Sequence, residues 1–263
     1  MKPTGTSAFD TTASSFERHR ALPSSVVEAI RSATWSAACL PERARVLDLG
    51  AGTGRIAKAF LAAGDFYVGV DSSLAMLQEF SAKPDFRESK TCFLAQAEGR
   101  QLPFKNAIFD LVLLMQVLSA AGNWQELLGE CRRVLRPGGI IVVGHARSPE
   151  SGVDAQLKRQ LTAILEAMRV PWHQPRESRR QALAWLEAAS VRHWYREAAS
   201  WKVMTSAEEF LSRHRTGARF AALPLSIQAE ALARLRAWAE TNVGSVNAKF
   251  DEQHSFELGI FEF

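Results

Sequence analysis

Residues 45–60 read "RVLDLGAGTGRIAKAF", with Gly50, Gly52 and Gly54 set between two apolar runs. "ARVLDLG" has the short apolar pattern of a buried strand, and "RIAKAFLAAG" has helical spacing closed by Gly64. A strand, a glycine turn and a helix place the backbone close to a ligand, where a Cβ would stand in the way. The spacing narrows which ligand. A dinucleotide fingerprint, GxGxxG, needs its third glycine where Arg55 stands, and a phosphate loop of the form GxxxxGKS/T is absent.

Outward from this loop, strands alternate with helices. "FYVGVD" (66–71), "TCFLAQ" (91–96), a stretch within "AIFDLVLLMQVL" (107–118) and "IIVVGHA" (140–146) read as further strands. Helices are expected over 24–38, from about Ser73 to Ser81, and over "WQELLGECRRVL" (124–135). Runs such as "LVLLM" and "IIVVG" must be buried on both sides, which implies a parallel sheet with right-handed crossovers and helices on both faces. Ligands of such sheets sit beyond the C-terminal strand edges. That edge carries Gly50 to Gly54, Asp71, Gln96 to Gly99, Met115, Gln116 and His145.

After residue 147 helical patterns dominate, at 153–168 and 179–189, and read as an insertion over the sheet edge. "VRHWYREAASWKV" (191–203) is expected as a sixth strand, 206–215 and 226–242 as helices, and "HSFELGIFEF" (254–263) as a closing strand. The expected organisation is an N-terminal helical lid over 1–40, a ligand-binding core over 41–146, a helical cap over 147–200 and core-completing strands and helices over 201–263.

With 263 residues, 47% hydrophobic and 23% charged, the chain can bury a large core without staples. The three cysteines show no metal-ligand spacing, and a reducing cytoplasm fits them. No apolar run reaches the ~18 residues of a membrane span, and the N-terminus lacks the apolar core of a signal peptide. The net charge of +4 is concentrated in residues 147–220, which hold 13 Lys and Arg against 8 Asp and Glu. A solvated helix face accounts for this excess, and an anionic substrate or an RNA is the alternative.

The loop resembles motif I of the class I S-adenosylmethionine-dependent methyltransferases, D-x-G-x-G-x-G, here Asp48-Leu49-Gly50-Ala51-Gly52-Thr53-Gly54. "AQAEGRQLPFKNAIFDLVLLMQVL" and "RRVLRPGGIIVV" are similar to the following motifs of the subgroup with "LPF" and "FDxV", and "FDTTASSFERHR" (9–20) to its lead-in. The resemblance covers residues 9 to 146 and implies an α/β, Rossmann-like seven-stranded, mostly parallel sheet with helices on both faces and a helical cap after strand five. It also implies S-adenosylmethionine as cofactor and S-adenosylhomocysteine as product. Gly50 and Gly52 would face the methionine part, with Asp48 bracing the loop. Asp71, beside Ser72, would accept from the ribose hydroxyls. Glu98, where the family more often has Asp, would accept from the adenine amino group, with the Gly99 amide nearby. Met115 belongs either to the adenine pocket or to the core. Arg20 would reach the methionine carboxylate, or else is a solvated charge.

A sulfonium methyl is already activated, so in-line alignment and water exclusion are the main requirements. A base is needed only where the acceptor must lose a proton. His145 is the candidate base, with a strand-end polar residue as the alternative reading. The histidines, His19 among them, show no metal spacing, and no metal is expected. Trp172, Trp185, Trp194, Tyr195 and Trp201 could line an acceptor pocket with Arg176, Arg179 or Arg180 at its mouth, or serve as core. No "NPPY" run or Pro-Cys nucleophile is present, which weakens an RNA substrate. The expected function is methyl transfer to O, N or C of a small molecule, aromatic or acidic, with no membrane partner. An RNA or protein methyltransferase, or a cofactor-binding protein without transfer, are the alternatives. Oligomeric state is left open.

Overall fold

Residues 46–49 of β1 (Arg45–Leu49) are all buried, as a strand covered on both faces requires. In the computed structural model, which describes residues 13–14, 20–38, 40–119, 121, 123–171, 175–215 and 217–263, β1 pairs in parallel with β2 (Phe66–Asp71) and β4 (Phe109–Met115). β3 (Cys92–Gln96) joins β2, and β5 (Leu135–Arg147) joins β4, both in parallel. β7 (Phe250–Glu262) enters antiparallel between β5 and β6 (Arg192–Thr205), giving a seven-stranded sheet of order β3-β2-β1-β4-β5-β7-β6. This is the expected α/β, mostly parallel architecture.

Side-chain alternation along the strands divides the core. One face packs Val46, Tyr67, Leu111 and Ile260 against α1 (Ser24–Ala37), α2 (Ala57–Ala62), α3 (Leu74–Ser81) and α4 (Pro84–Glu88) through Ile30, Phe60, Phe80 and Phe86. The other packs Leu47, Val68, Val112 and Phe261 against α5 (Trp124–Val134) and α7 (Pro175–Ala189) through Leu128, Cys131, Ala182 and Leu186. A third core lies apart from the sheet. There α6 (Val153–Ala167) presents Leu157, Leu161 and Leu165 to α8 (Ala207–Arg215), α9 (Ala218–Ala221) and α10 (Leu225–Asn242), through Phe210, Phe220 and Leu235.

The expected partition at residues 147–200 and 201–263 differs from this arrangement. β6 runs through position 200, and the two helices assigned to one cap separate: α7 covers the sheet while α6 joins α8–α10. The cap therefore comes from two insertions, one after β5 and one after β6. Helical periodicity could not tell these cases apart, because a stripe facing a sheet and a stripe facing other helices have the same spacing. His145 lies inside β5 rather than after it. The lead-in at 9–12 and 15–19 with His19, Trp172 with His173, and the side chain of Arg176 lie outside the described residues. Among the described residues no helix is long and apolar enough to cross a membrane.

The glycine loop is fixed by close packing. At Gly54, φ is +73° and an added Cβ would stand 2.4 Å from the ring of Phe80. At Gly64, which closes α2, φ is +76° but nothing lies within 4 Å of that position. Gly64→Ala therefore carries only the left-handed penalty of about 1–2 kcal/mol, while Gly54→Ala adds overpacking of about 1–3 kcal/mol. Urea denaturation of the two variants should show Gly54→Ala clearly less stable, with equal midpoints counting against this account.

Candidate active site

A cleft of about 1450 Å³ runs along the C-terminal ends of β1, β2, β4 and β5 beneath α6 and α7. Ten of the residues singled out from the sequence line it: Arg20, Asp48, Gly50, Gly52, Asp71, Ser72, Glu98, Gly99, Met115 and His145. Gln116, at the end of β4, adopts φ of +64° and donates its amide to the Gly144 carbonyl at 2.8 Å. Non-glycine residues in that conformation are uncommon; Ala107 and Arg169 share it but do not line the cleft.

Asp71 ends β2 and ties two elements together. Its Oδ2 accepts from the Gly52 amide at 2.9 Å, 19 residues away in sequence, and its Oδ1 accepts from the Ser73 amide at 2.9 Å. Ser73 in turn caps α3, its hydroxyl accepting from the Met76 amide at 3.2 Å. Asp71 therefore holds the glycine loop and the start of α3 to the end of β2, on the wall of the cleft. Asp48, in β1, is 2% exposed. Its Oδ2 accepts from the Tyr67 hydroxyl, and its Oδ1 has no hydrogen-bond partner among the described residues. Burial pushes the Asp48 carboxyl up to about 7, against the Tyr67 hydrogen bond, which favours the charged form.

Arg55, which breaks the dinucleotide fingerprint, donates to the Arg20 carbonyl at 2.5 Å. Arg20 donates from Nη2 to the Arg213 carbonyl at 3.3 Å, so residue 20 bridges the glycine loop and the cap. Burial, with Arg213 and Arg55 nearby, lowers the Arg20 guanidinium to about 10, still protonated at neutral pH. The cap is clamped at Asp154, a buried residue of α6 paired with Arg213 of α8 and with Lys158 at 3.4 Å.

Two histidines line the cleft with opposite tautomers. His145 Nδ1 lies 2.7 Å from Arg179 Nη2. A guanidinium only donates, so this nitrogen is the acceptor and the ring proton sits on Nε2, facing Glu257 Oε2 at 3.6 Å. His214 Nδ1 lies 3.2 Å from the Phe210 carbonyl, which only accepts, so Nδ1 carries the proton and Nε2 is an acceptor. Burial, and after it the cations Arg179 and Arg147, lower His145 to about 3. Burial, with Arg213, Lys158 and Arg20, does the same to His214. Of the aromatic residues considered for an acceptor pocket, Tyr195 lines the cleft. Trp194 and Trp201 pack on the first sheet face, and Trp185 lies against Trp124 with ring centroids 6.5 Å apart. Sequence reasoning missed Tyr67, Arg55, Asp154, Arg213 and His214 as site-building residues. A tyrosine inside a strand reads as core, and only the residue types of the others, not their spacing, hinted at a role.

Residues 47–143 match the family model of the methyltransferase domain. Over 179 residues the chain is 31% identical to a demethylmenaquinone methyltransferase of Mycobacterium marinum, covering 67% of this chain and 72% of that one. The chain belongs to the class I S-adenosylmethionine-dependent methyltransferases. It is also 36% identical over 102 residues to an uncharacterized protein of Methanocaldococcus jannaschii, across 39% of this chain and 44% of that one, so it spans less than half of that relative. The structure of a putative type II methyltransferase from Anaeromyxobacter dehalogenans shares the fold, with a TM-score of 0.59 at 17% identity, over 89% of this methyltransferase and 95% of that chain.

The pKa directions have opposite consequences for stability. His145 and His214 lie below the ordinary 6.5, so the stability their neutral forms contribute is lost as pH falls from about 6.5 toward 3. Asp48 lies above its ordinary 3.8, so it adds stability as pH falls from about 7 toward 3.8. The two kinds of group partly offset each other, which makes site-resolved titration the informative measurement. NMR of the imidazole Cε1–H signals should show both histidines neutral from pH 8 to pH 5, and a midpoint near 6.5 at either would contradict the geometry.

Proposed function

We propose that this cleft binds S-adenosylmethionine and directs its methyl group to an O, N or C atom of a small molecule, aromatic or acidic, enclosed by a cap of α6 and α8–α10. The observation that carries the reading is Asp71, which ends β2 on the wall of the cleft and accepts from the Gly52 amide of the glycine loop. The residues present fit the cofactor. Among the described residues no atom beyond its chain neighbours lies within 4 Å of a Cβ added at Gly52, so this glycine leaves room along the cleft wall. The unpartnered Asp48 Oδ1 suits the ammonium of a methionyl group, and Arg20 suits its carboxylate. Asp71, beside Ser72, would hold the ribose, while Glu98 and the Gly99 amide would hold the adenine near Met115. S-adenosylmethionine supplies an activated sulfonium methyl, which needs no metal or covalent intermediate.

The chain's own contribution is to position the two reactants and exclude water. His145 orients Arg179 and does not act as a base, because its Nδ1 is occupied and burial beside Arg179 holds its conjugate acid near 3. An acceptor hydroxyl or amine can donate a hydrogen bond to the Nε2 of His214, on the same cleft, where burial holds the conjugate acid as low as that of His145. The similarity to a demethylmenaquinone methyltransferase supports a small-molecule acceptor.

Calorimetry should show S-adenosylmethionine binding to the protein, with affinity weakened about ten- to a hundredfold by Asp71→Asn. Absence of binding to the unmodified protein would sink the reading. Incubation of metabolite extracts with a methyl-labelled donor, read by mass, identifies the acceptor. Label appearing only in RNA or protein would overturn the small-molecule assignment.

A further inference from the structure

On the acceptor side of the cleft Arg179 makes no direct salt bridge to a carboxylate among the described residues. Among the described residues Arg179 makes one hydrogen bond, to the neutral His145, and its Nε is buried without a partner. The carboxylates of this wall bond elsewhere: Glu257, whose charge reaches Arg179, accepts through Oε1 from Arg147 at 2.7 Å, and Glu187 Oε1 accepts from the Tyr195 hydroxyl at 2.5 Å. The other cations of this wall are accounted for. Arg180 pairs with Glu177 at 2.9 Å and Lys158 with Asp154 at 3.4 Å, while Arg159 stands exposed on α6. A half-buried guanidinium that has given up water for one neutral partner is poorly compensated, and an anion in the cleft would supply what is missing. Leu183, Ala184 and Leu258 give the same wall an apolar surface.

We propose that Arg179 is the docking point for a carboxylate on the methyl acceptor, making the acceptor a small organic acid with an apolar or aromatic body. His145 is then a positioning residue: its Nδ1 fixes the guanidinium, and its neutrality leaves the positive charge for the ligand. This rests on the methyltransferase reading, and it is narrower than that reading because a neutral acceptor would leave the Arg179 guanidinium without a directly bonded charged partner.

The test is ligand-detected NMR on the full chain, using benzoate, 4-hydroxybenzoate and phenylacetate, each against its primary amide, with and without S-adenosylhomocysteine. At least one acid should bind about tenfold or more tightly than its amide, the difference expected when a charge-assisted hydrogen bond replaces a neutral one. Arg179→Gln should abolish that preference, Arg179→Lys should keep part of it, and His145→Gln should weaken the acid while leaving the amide unchanged. Calorimetric affinity for S-adenosylhomocysteine within twofold of the unmodified protein shows that the variants are folded. No preference for acid over amide, including binding of neither, or a preference that survives Arg179→Gln, overturns the proposal. Acid preference is scored without S-adenosylhomocysteine as well, so a protein that fails to bind that compound refutes the methyltransferase reading separately.

Discussion

The site depends on one carboxylate accepting two backbone amides. Asp71 holds the Gly52 amide with one oxygen and the Ser73 amide with the other, so the turn after β1 and the start of α3 are set from the end of β2. A glycine-rich turn loses more backbone entropy on folding than any other stretch of its length, and it needs a compensating contact that is insensitive to solvent. Phe80, carried by α3, completes the arrangement by filling the space where Gly54 lacks a side chain. Strand end, turn and helix thus act as one rigid unit, which is what close approach to a ligand demands.

Against that rigid edge the cap is assembled from parts distant in sequence. Asp154 joins α6 to α8 through Arg213, and the Asp154 amide donates to Glu252 Oε1 of β7 at 3.2 Å, anchoring the cap to the sheet. The Arg213 carbonyl accepts from Arg20, whose own carbonyl accepts from Arg55 of the glycine loop. A continuous polar chain therefore runs from the cofactor side of the cleft to the cap. Truncating one member would leave buried partners unsatisfied on both sides, so these residues are coupled and their effects are not additive.

Much of this was legible in the sequence because period and punctuation agree there. The strands at 45–49 and 66–71 are continuous apolar runs, Gly64 closes α2, and Asp71 follows "VGV" at a strand end, so the edge residues could be named before any geometry. The sequence does not separate α6 from α7, because both carry similar apolar stripes and a stripe does not say what it faces. Tyr67 was invisible as a hydrogen-bond donor, because a strand tyrosine is read for its ring and not for its hydroxyl. His145, from its position at the sheet edge, reads either as a base or as a polar residue ending the strand. Its proton inventory depends on Arg179, 34 residues away, and no local pattern reports such a contact.

β7 has a consequence for how the sheet can form during synthesis. Residues 250–262 lie between β5 and β6, so β6 has no strand neighbour until nearly 60 further residues have followed its first one. Until then the emerging chain presents two unpaired edges, one on β5 and one on β6, each with a free ladder of amides and carbonyls. The two edges await the same final strand, and contacts of such long sequence separation form late. The helices α8–α10 are made in the interval, and their apolar side chains pack with α6 in a core that includes no residue of β6.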